Sequence, residues 1–238
     1  MHKNEINIVG LIPAKENSTR LKNKNLKKLN NLSLTEIAII SAVKSKFINR
    51  TFISTDSKKL IEKSQKYKIS AVKREKKLCL KNVTSDRVIL NFLGKIKKFY
   101  NFRNLIIVYL QPTSPFRNHK HINKAIKLFL KSKSKSKVLV SVVKDDFKFF
   151  KYFKEDKYFI KPYFKSDNIS MNGQSFPQMY YPNGAIYIFF ANEFLKKKKI
   201  KYEKVLKYEM DKISSIDIDD NEDFKISKLL SNKFLIYK

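Results

Sequence analysis

The stretch INIVGLIPAKENSTRLKNKN, residues 6–25, joins a short apolar run to a polar turn rich in lysine and asparagine. Ile6–Ile12 is far shorter than the roughly 18–20 apolar residues that cross a bilayer. It carries Asn7 and is closed by Pro13, so it reads as a buried strand and not as a signal peptide. The residues after it are small, polar and turn-forming. Such a loop can turn backbone N–H groups toward a phosphate while Lys15, Arg20 and Lys24 bring charge. In a doubly wound α/β sheet, ligands sit just there, beyond the carboxyl ends of the strands.

Outward from this stretch the pattern repeats. Short runs at Thr51–Ser54, Ser70–Val72, Leu105–Leu110, Val138–Val143, Ala185–Phe190 and Ser215–Ile218 alternate with amphipathic segments. This predicts an α/β protein with a mostly parallel sheet flanked by helices. Ser33-Leu34-Thr35-Glu36 is a capping box, expected to open a helix whose apolar face carries Ile37, Ile40, Val43 and Phe47. A helix over 118–130 is expected to bury Ile122, Ile126 and Phe129. A last helix from Asp220 is expected to bury Phe224, Leu229 and Leu230.

No repeat or boundary divides residues 1–238, which read as a single domain. Residues 147–181 break the alternation. They are dense in Phe, Tyr and Lys, too long for an ordinary connection and too aromatic for disorder. They read either as an excursion that packs on another subunit or as an irregular extra layer. The KSKSKSK run at 131–137 reads as a solvated loop.

Composition narrows the function classes. With 42% hydrophobic and 13% aromatic residues the chain has ample material for a core. One cysteine, Cys79, forms no internal disulfide and suits a reducing compartment, so a cytoplasmic location is expected, with no membrane partner. The formal charge of +31 invites a nucleic-acid reading. Only six of the 52 basic residues are arginine, however, and the lysines are spread over the whole chain. Base and phosphate readout favours arginine. The charge therefore reads as a compositional bias whose positive field attracts anionic substrates.

Two further segments carry chemistry. In Leu110-Gln111-Pro112-Thr113-Ser114-Pro115-Phe116-Arg117, two prolines fix a tight loop after a buried strand, leaving Gln111 and Thr113 free to face a ligand. In Ser215-Ile216-Asp217-Ile218-Asp219-Asp220, alternation sends Ile216 and Ile218 into the core and projects Asp217 and Asp219 together, about 6–7 Å apart at their backbones. Two carboxylates so placed can share a hard cation, with water and phosphate oxygens completing its shell. Asp220 is then free to cap the following helix.

Taken in order, the stretch from Ile12 to Asn25, Ser54-Thr55-Asp56, Leu110 to Arg117, Pro182-Asn183-Gly184-Ala185-Ile186-Tyr187-Ile188 and Asp217-Ile218-Asp219 resemble the motifs of the acylneuraminate cytidylyltransferases. The resemblance spans nearly the whole chain. It implies a Rossmann-like fold of the nucleotide-diphospho-sugar transferase type, with residues 147–181 as a small dimerisation extension and a homodimer as the working state. It implies CTP and a nonulosonic, sialic-acid-type sugar as substrates, pyrophosphate as product and Mg²⁺ as cofactor. By the same resemblance Ala14, Lys15, Ser18, Arg20, Lys24, Asn25, Arg74 and Ser85 serve the nucleotide. Gln111, Thr113 and Tyr181 face the sugar, and Asp217 and Asp219 hold the metal. Lys15, Arg20, Lys24, Asp217 and Asp219 form the expected catalytic set.

Several positions depart from the family pattern. Lys15 stands where arginine is usual and Thr19 where lysine is common. Residues 173–181 lack the arginines that often precede the Pro-Asn-Gly segment. The sugar stays open among N-acetylneuraminic, legionaminic and pseudaminic acids. A CMP-Kdo synthetase also begins with a similar loop, but its mid-chain segment resembles L-Q-G-D-E-P, unlike Leu110 to Pro115.

Overall fold

A computed structural model describes residues 6–132 and 137–235. Most of the KSKSKSK run lies outside the described residues. Seven strands form the main sheet: β1 (Asn7–Pro13), β2 (Arg50–Thr55), β3 (Ser70–Lys73), β4 (Leu105–Tyr109), β5 (Val138–Asp145), β6 (Met179–Phe190) and β7 (Val205–Met210). Their spatial order is β7-β5-β6-β4-β1-β2-β3. All neighbours pair in parallel except β6, which runs antiparallel between β4 and β5. From β1 the chain steps outward through β2 and β3, then returns to lay β4 on the other side of β1. That reversal leaves a crevice beyond the carboxyl ends of β1 and β4.

The sheet is buried on both faces, as a parallel sheet flanked by helices requires. Val9 and Leu11 of β1 point to one side, where they join Phe92 and Leu93 of α3 (Ser85–Ile96) and Phe194 of α5 (Ala191–Lys197). Ile8 and Ile12 point to the other side, against Ala38, Ile39 and Ala42 of α1 (Leu34–Val43) and Ile122, Ile126 and Phe129 of α4 (His119–Ser132). Two more helices, α2 (Lys58–Lys66) and α6 (Asn221–Phe234), complete the layers.

The capping box forms as read: the Glu36 amide donates to Ser33 Oγ and the Ser33 amide to the Glu36 carboxylate. The apolar face was drawn too narrowly. α1 is buried nearly all round through Leu34, Ile37, Ala38, Ile39 and Ala42, while Val43 at its last turn is exposed. α6 is capped by Asp220 and packs Phe224 and Leu230, but Leu229 faces solvent. Ser215–Ile218 starts in a turn, with the Ser215 amide bonded to the Asp211 carbonyl, and does not join the sheet; the strand is Val205–Met210, whose lysine, tyrosine and glutamate conceal it at an edge. Residues 147–178 lie outside the sheet as short 3-10 turns and an exposed hairpin, Phe153–Asp156 with Phe159–Pro162.

Burial pushes the Glu36 carboxyl up, but bonds from Lys63 and Ser33 outweigh it and hold the group below the usual range. A lowered carboxyl stabilises the fold above its ordinary value, and that contribution disappears as pH falls through the folded value. Ser33→Ala removes both the cap and one of these bonds. It should cost about 1–2 kcal/mol in urea unfolding at neutral pH, with a smaller difference from wild type in acid; an unchanged midpoint at neutral pH would contradict this reading.

Candidate active site

The crevice between β1 and β4 opens into a cleft of about 380 Å³, within the size range of small-molecule sites. Three chain regions meet there. Lys15, Ser18, Arg20, Lys24 and Asn25 come from the loop after β1, Gln111, Pro112 and Thr113 from the loop after β4, and Asp217 and Asp219 from the segment before α6. Arg74 lies just past β3 and Ser85 at the start of α3. Thus every expected site residue except Ala14 and Tyr181 lines one cleft.

Direct bonds join the early loop to the late aspartates. Lys24 Nζ donates to the Ile218 carbonyl at 2.7 Å and to Asp219 Oδ1 at 3.2 Å. Arg20 donates to the same Asp219 oxygen at 2.9 Å. The Ile218 amide donates to the Thr113 carbonyl at 2.8 Å. Asn25, expected to serve the nucleotide, is buried and also braces the loop, donating from Nδ2 to the Lys15 carbonyl at 2.7 Å while its own carbonyl accepts from Thr35.

Opposite this charged side the cleft has an apolar wall of Leu78, Leu80, Val83 and Val88. Arg74 lies at its base, 5% exposed, with Nε and Nη2 donating to the side chain and carbonyl of Ser54. Burial pulls its guanidinium below the usual arginine range. Tyr109 closes the floor and donates to Ser85 Oγ at 3.2 Å. The leucines, Val83 and Tyr109 were not read from the sequence. Tyr109 was accessible in principle as the last residue of a buried strand ending at the ligand side.

β6 departs from the regular ladder between Pro182 and Tyr187, and its Asn183–Gly184 turn bulges out of the pairing. A bulge re-aims the chain beside a site. Asn183 fixes it, accepting from Ser141 Oγ and the Ala185 amide and donating to Ser215 Oγ. Gly184 has φ +75, and a Cβ there would lie 2.8 Å from Gln111 Oε1 and 3.2 Å from Asp217 Oδ2. Only glycine meets both conditions. The buried Arg117 ties the same turn to the loop after β4, donating from Nη1 to the Gln111 and Ala185 carbonyls.

Two of the expected residues stand outside the cleft lining. The Ala14 side chain packs in the core with Ile53 and Leu60, and its amide donates to the Ser54 carbonyl. Tyr181 stands on β6, half exposed and outside the cleft lining.

Asp217 Oδ1 is buried with no hydrogen-bond partner among the described residues. Burial pushes this carboxyl above its ordinary value, Thr113 opposes the shift and Asp219 adds to it. An orphaned carboxylate oxygen beside a second carboxylate suits a hard divalent cation such as Mg²⁺. Among the described residues no group of three or more His, Cys, Asp and Glu side chains is placed to hold a metal. The remaining ligands would have to be phosphate oxygens and water.

Fold and cleft together define a doubly wound α/β protein with a cleft lined by lysine, arginine and aspartate side chains at the switch of strand order. A family model described as Cytidylyltransferase matches residues 9–234, and the chain belongs to that family. It is 31% identical over 226 residues to an N-acylneuraminate cytidylyltransferase of Escherichia coli O18:K1:H7 (strain RS218 / NMEC), covering 95% of this chain and 52% of that protein. It is 30% identical over 227 residues to a CMP-N,N'-diacetyllegionaminic acid synthase of Legionella pneumophila subsp. pneumophila (strain Philadelphia 1), covering 94% and 95%. The chain spans about half the length of the Escherichia coli protein, and likewise of an N-acylneuraminate cytidylyltransferase of Streptococcus agalactiae serotype V to which it is 29% identical. A CMP:2-keto-3-deoxy-manno-octonic acid synthetase solved with CTP shares the fold, with TM-score 0.70 at 11% identity over 95% of this chain and 99% of that one.

A carboxyl raised in the folded state favours its proton, so folding stability falls as pH rises from the ordinary carboxylate value through the raised one. Asp217→Asn should therefore raise the Tm of the ligand-free protein at neutral pH. The gain should shrink in acid, where the native carboxyl is already protonated. A lower Tm at neutral pH would mean that Asp217 is held by partners stronger than those described.

Proposed function

We propose that this chain is a cytidylyltransferase that transfers CMP from CTP to the anomeric hydroxyl of a nonulosonic acid, releasing pyrophosphate. One observation carries the reading: Lys24 joins the loop after β1 to Asp219 and Ile218, within a cleft that also holds Gln111. Membership of the cytidylyltransferase family and the sugars named for the relatives support the substrate class.

In this reading Lys15, Arg20 and Lys24 line up against the triphosphate and offset charge that builds on its oxygens during displacement. Arg74 and Ser85 face the nucleoside end, against the leucine wall. Gln111 and the Gly184 turn bound the sugar end, where the anomeric oxygen attacks the α-phosphorus and the bond to pyrophosphate breaks. Asp217 and Asp219 would hold Mg²⁺, which supplies Lewis-acid polarisation of the phosphate. Orientation does the rest, with no covalent intermediate on the protein. Arg20 and Lys24 pair with Asp219 in the free protein, so a triphosphate competes with that carboxylate for them.

Two further elements complete the proposal. The exposed aromatic hairpin, with Tyr158 96% and Phe159 77% exposed, has the apolar surface that a homodimer contact needs. The second is a cytoplasmic setting, supported by a single cysteine that suits a reducing compartment; among the described residues no helix is long and apolar enough to cross a membrane.

Pyrophosphate release should require CTP, Mg²⁺ and a nonulosonic acid together. A panel of N-acetylneuraminate, legionaminate, pseudaminate and Kdo identifies the sugar; no release with any of the four, or release with Kdo alone, would refute the proposal. Asp219→Ala should lose about 10²-fold or more in turnover, as expected when a metal-borne electrostatic contribution is removed. A retained rate with the same Mg²⁺ dependence would leave Asp219 only its ion pairs.

A further inference from the structure

The peptide unit between Lys15 and Glu16 is held on both edges. Its carbonyl, on Lys15, accepts from Asn25 Nδ2 at 2.7 Å, and its N–H, on Glu16, donates to Asp56 Oδ1 at 2.8 Å. A trans peptide is planar and points these two groups in opposite directions. Gripping both fixes the plane, and with it the backbone from which the Lys15 side chain leaves for the cleft. Asp56 follows the last residue of β2. The β1–β2 ladder ends at Pro13 and Ser54, and the Ala14 amide adds a bond to the Ser54 carbonyl. A continued parallel ladder would next join the Glu16 amide to the Asp56 carbonyl. The Asp56 side chain takes that place.

The Glu16 side chain is held as well. Ser57 is the N-cap residue of α2, where a serine hydroxyl ordinarily accepts from an amide of the first turn. Here it makes no such bond and donates instead to Glu16 Oε1 at 2.9 Å. The first turn of α2 holds no acid of its own, so the Glu16 carboxylate supplies negative charge at the positive end of that helix. Ser57 is fully buried; Asp56 and Glu16 are half-buried, and neither lines the cleft. The same corner anchors the other end of the site. The Arg74 amide donates to the Thr55 carbonyl at 2.7 Å, and its side chain donates to Ser54. Residues 54–57 thus hold Arg74 on one side and the Lys15 backbone on the other.

We propose that Asp56 and Glu16 are positioning residues for the nucleotide, clasping the loop after β1 to the end of β2 so that Lys15 stands at a fixed distance from Arg74. This rests on the cytidylyltransferase reading of the cleft. Charge alone predicts the opposite sign for their removal. A carboxylate near a cationic site opposes a triphosphate, so deleting it should tighten binding if it acted only through its field.

Calorimetric titration of the full chain with CTP and Mg²⁺, without sugar, separates the two. Asp56→Ala should weaken CTP binding at least tenfold. Asp56→Asn, whose Oδ1 still accepts from the Glu16 amide, should bind within threefold of wild type. Glu16→Ala should weaken binding at least threefold, and Glu16→Gln, which keeps the acceptor for Ser57, should restore it. If Asp56→Ala does not fold, the Glu16 pair decides alone. Equal or tighter binding by the alanine variants, or asparagine and glutamine variants as weak as alanine, would overturn the proposal and leave the CTP site standing. A wild-type chain that binds no CTP would instead overturn the reading beneath it.

Discussion

The peptide unit of Ile218 is gripped from both sides, and the site depends on that grip. Its amide bonds to the Thr113 carbonyl and its carbonyl accepts from Lys24. Asp217 and Asp219 flank this residue, so fixing its backbone fixes where both carboxylates stand. The Arg20–Asp219 pair adds little to stability because Arg20 is two-thirds exposed. The Lys24 ammonium is mostly buried and holds two acceptors, which makes it the stronger constraint. Residues nearly two hundred positions apart are thereby brought to one end of the sheet.

A second device works from the opposite direction. Gly184 leaves room for Gln111 and Asp217, while Arg117 draws the β6 turn and the loop after β4 together through their carbonyls. Arg117 is fully buried, and an arginine fork suits two acceptors on separate segments better than a lysine would. The segments that supply the cleft are therefore cross-braced by bonds to backbone groups, and the Lys15, Ser18 and Gln111 side chains line the cleft they hold.

Much of this was legible in the residues. The strand runs, the Ser33–Glu36 box and the order of motifs led to the parallel sheet and to most of the cleft, because short-range pattern governs each of them. What stayed hidden depends on tertiary context. β7 is an edge strand, so polar residues are tolerated and its apolar alternation is faint. α2 is masked by charge, with only Leu60 and Ser64 buried. Val43 and Leu229 obey helical spacing yet fall where no neighbour covers them. Ala14 sits between cleft-lining residues in sequence, but its side chain packs in the core. The leucine wall follows from how the segment before α3 folds back, which no local pattern encodes.

The central claim is that the loop after β1 and the late aspartate pair act on one triphosphate. A crystal structure of the protein with CTP and Mg²⁺ tests it most directly. The account predicts phosphates between Lys15, Arg20 and Lys24, with the metal on Asp217 and Asp219 and the cytosine toward Arg74. Nucleotide bound elsewhere, or a metal bound away from both aspartates, would contradict it.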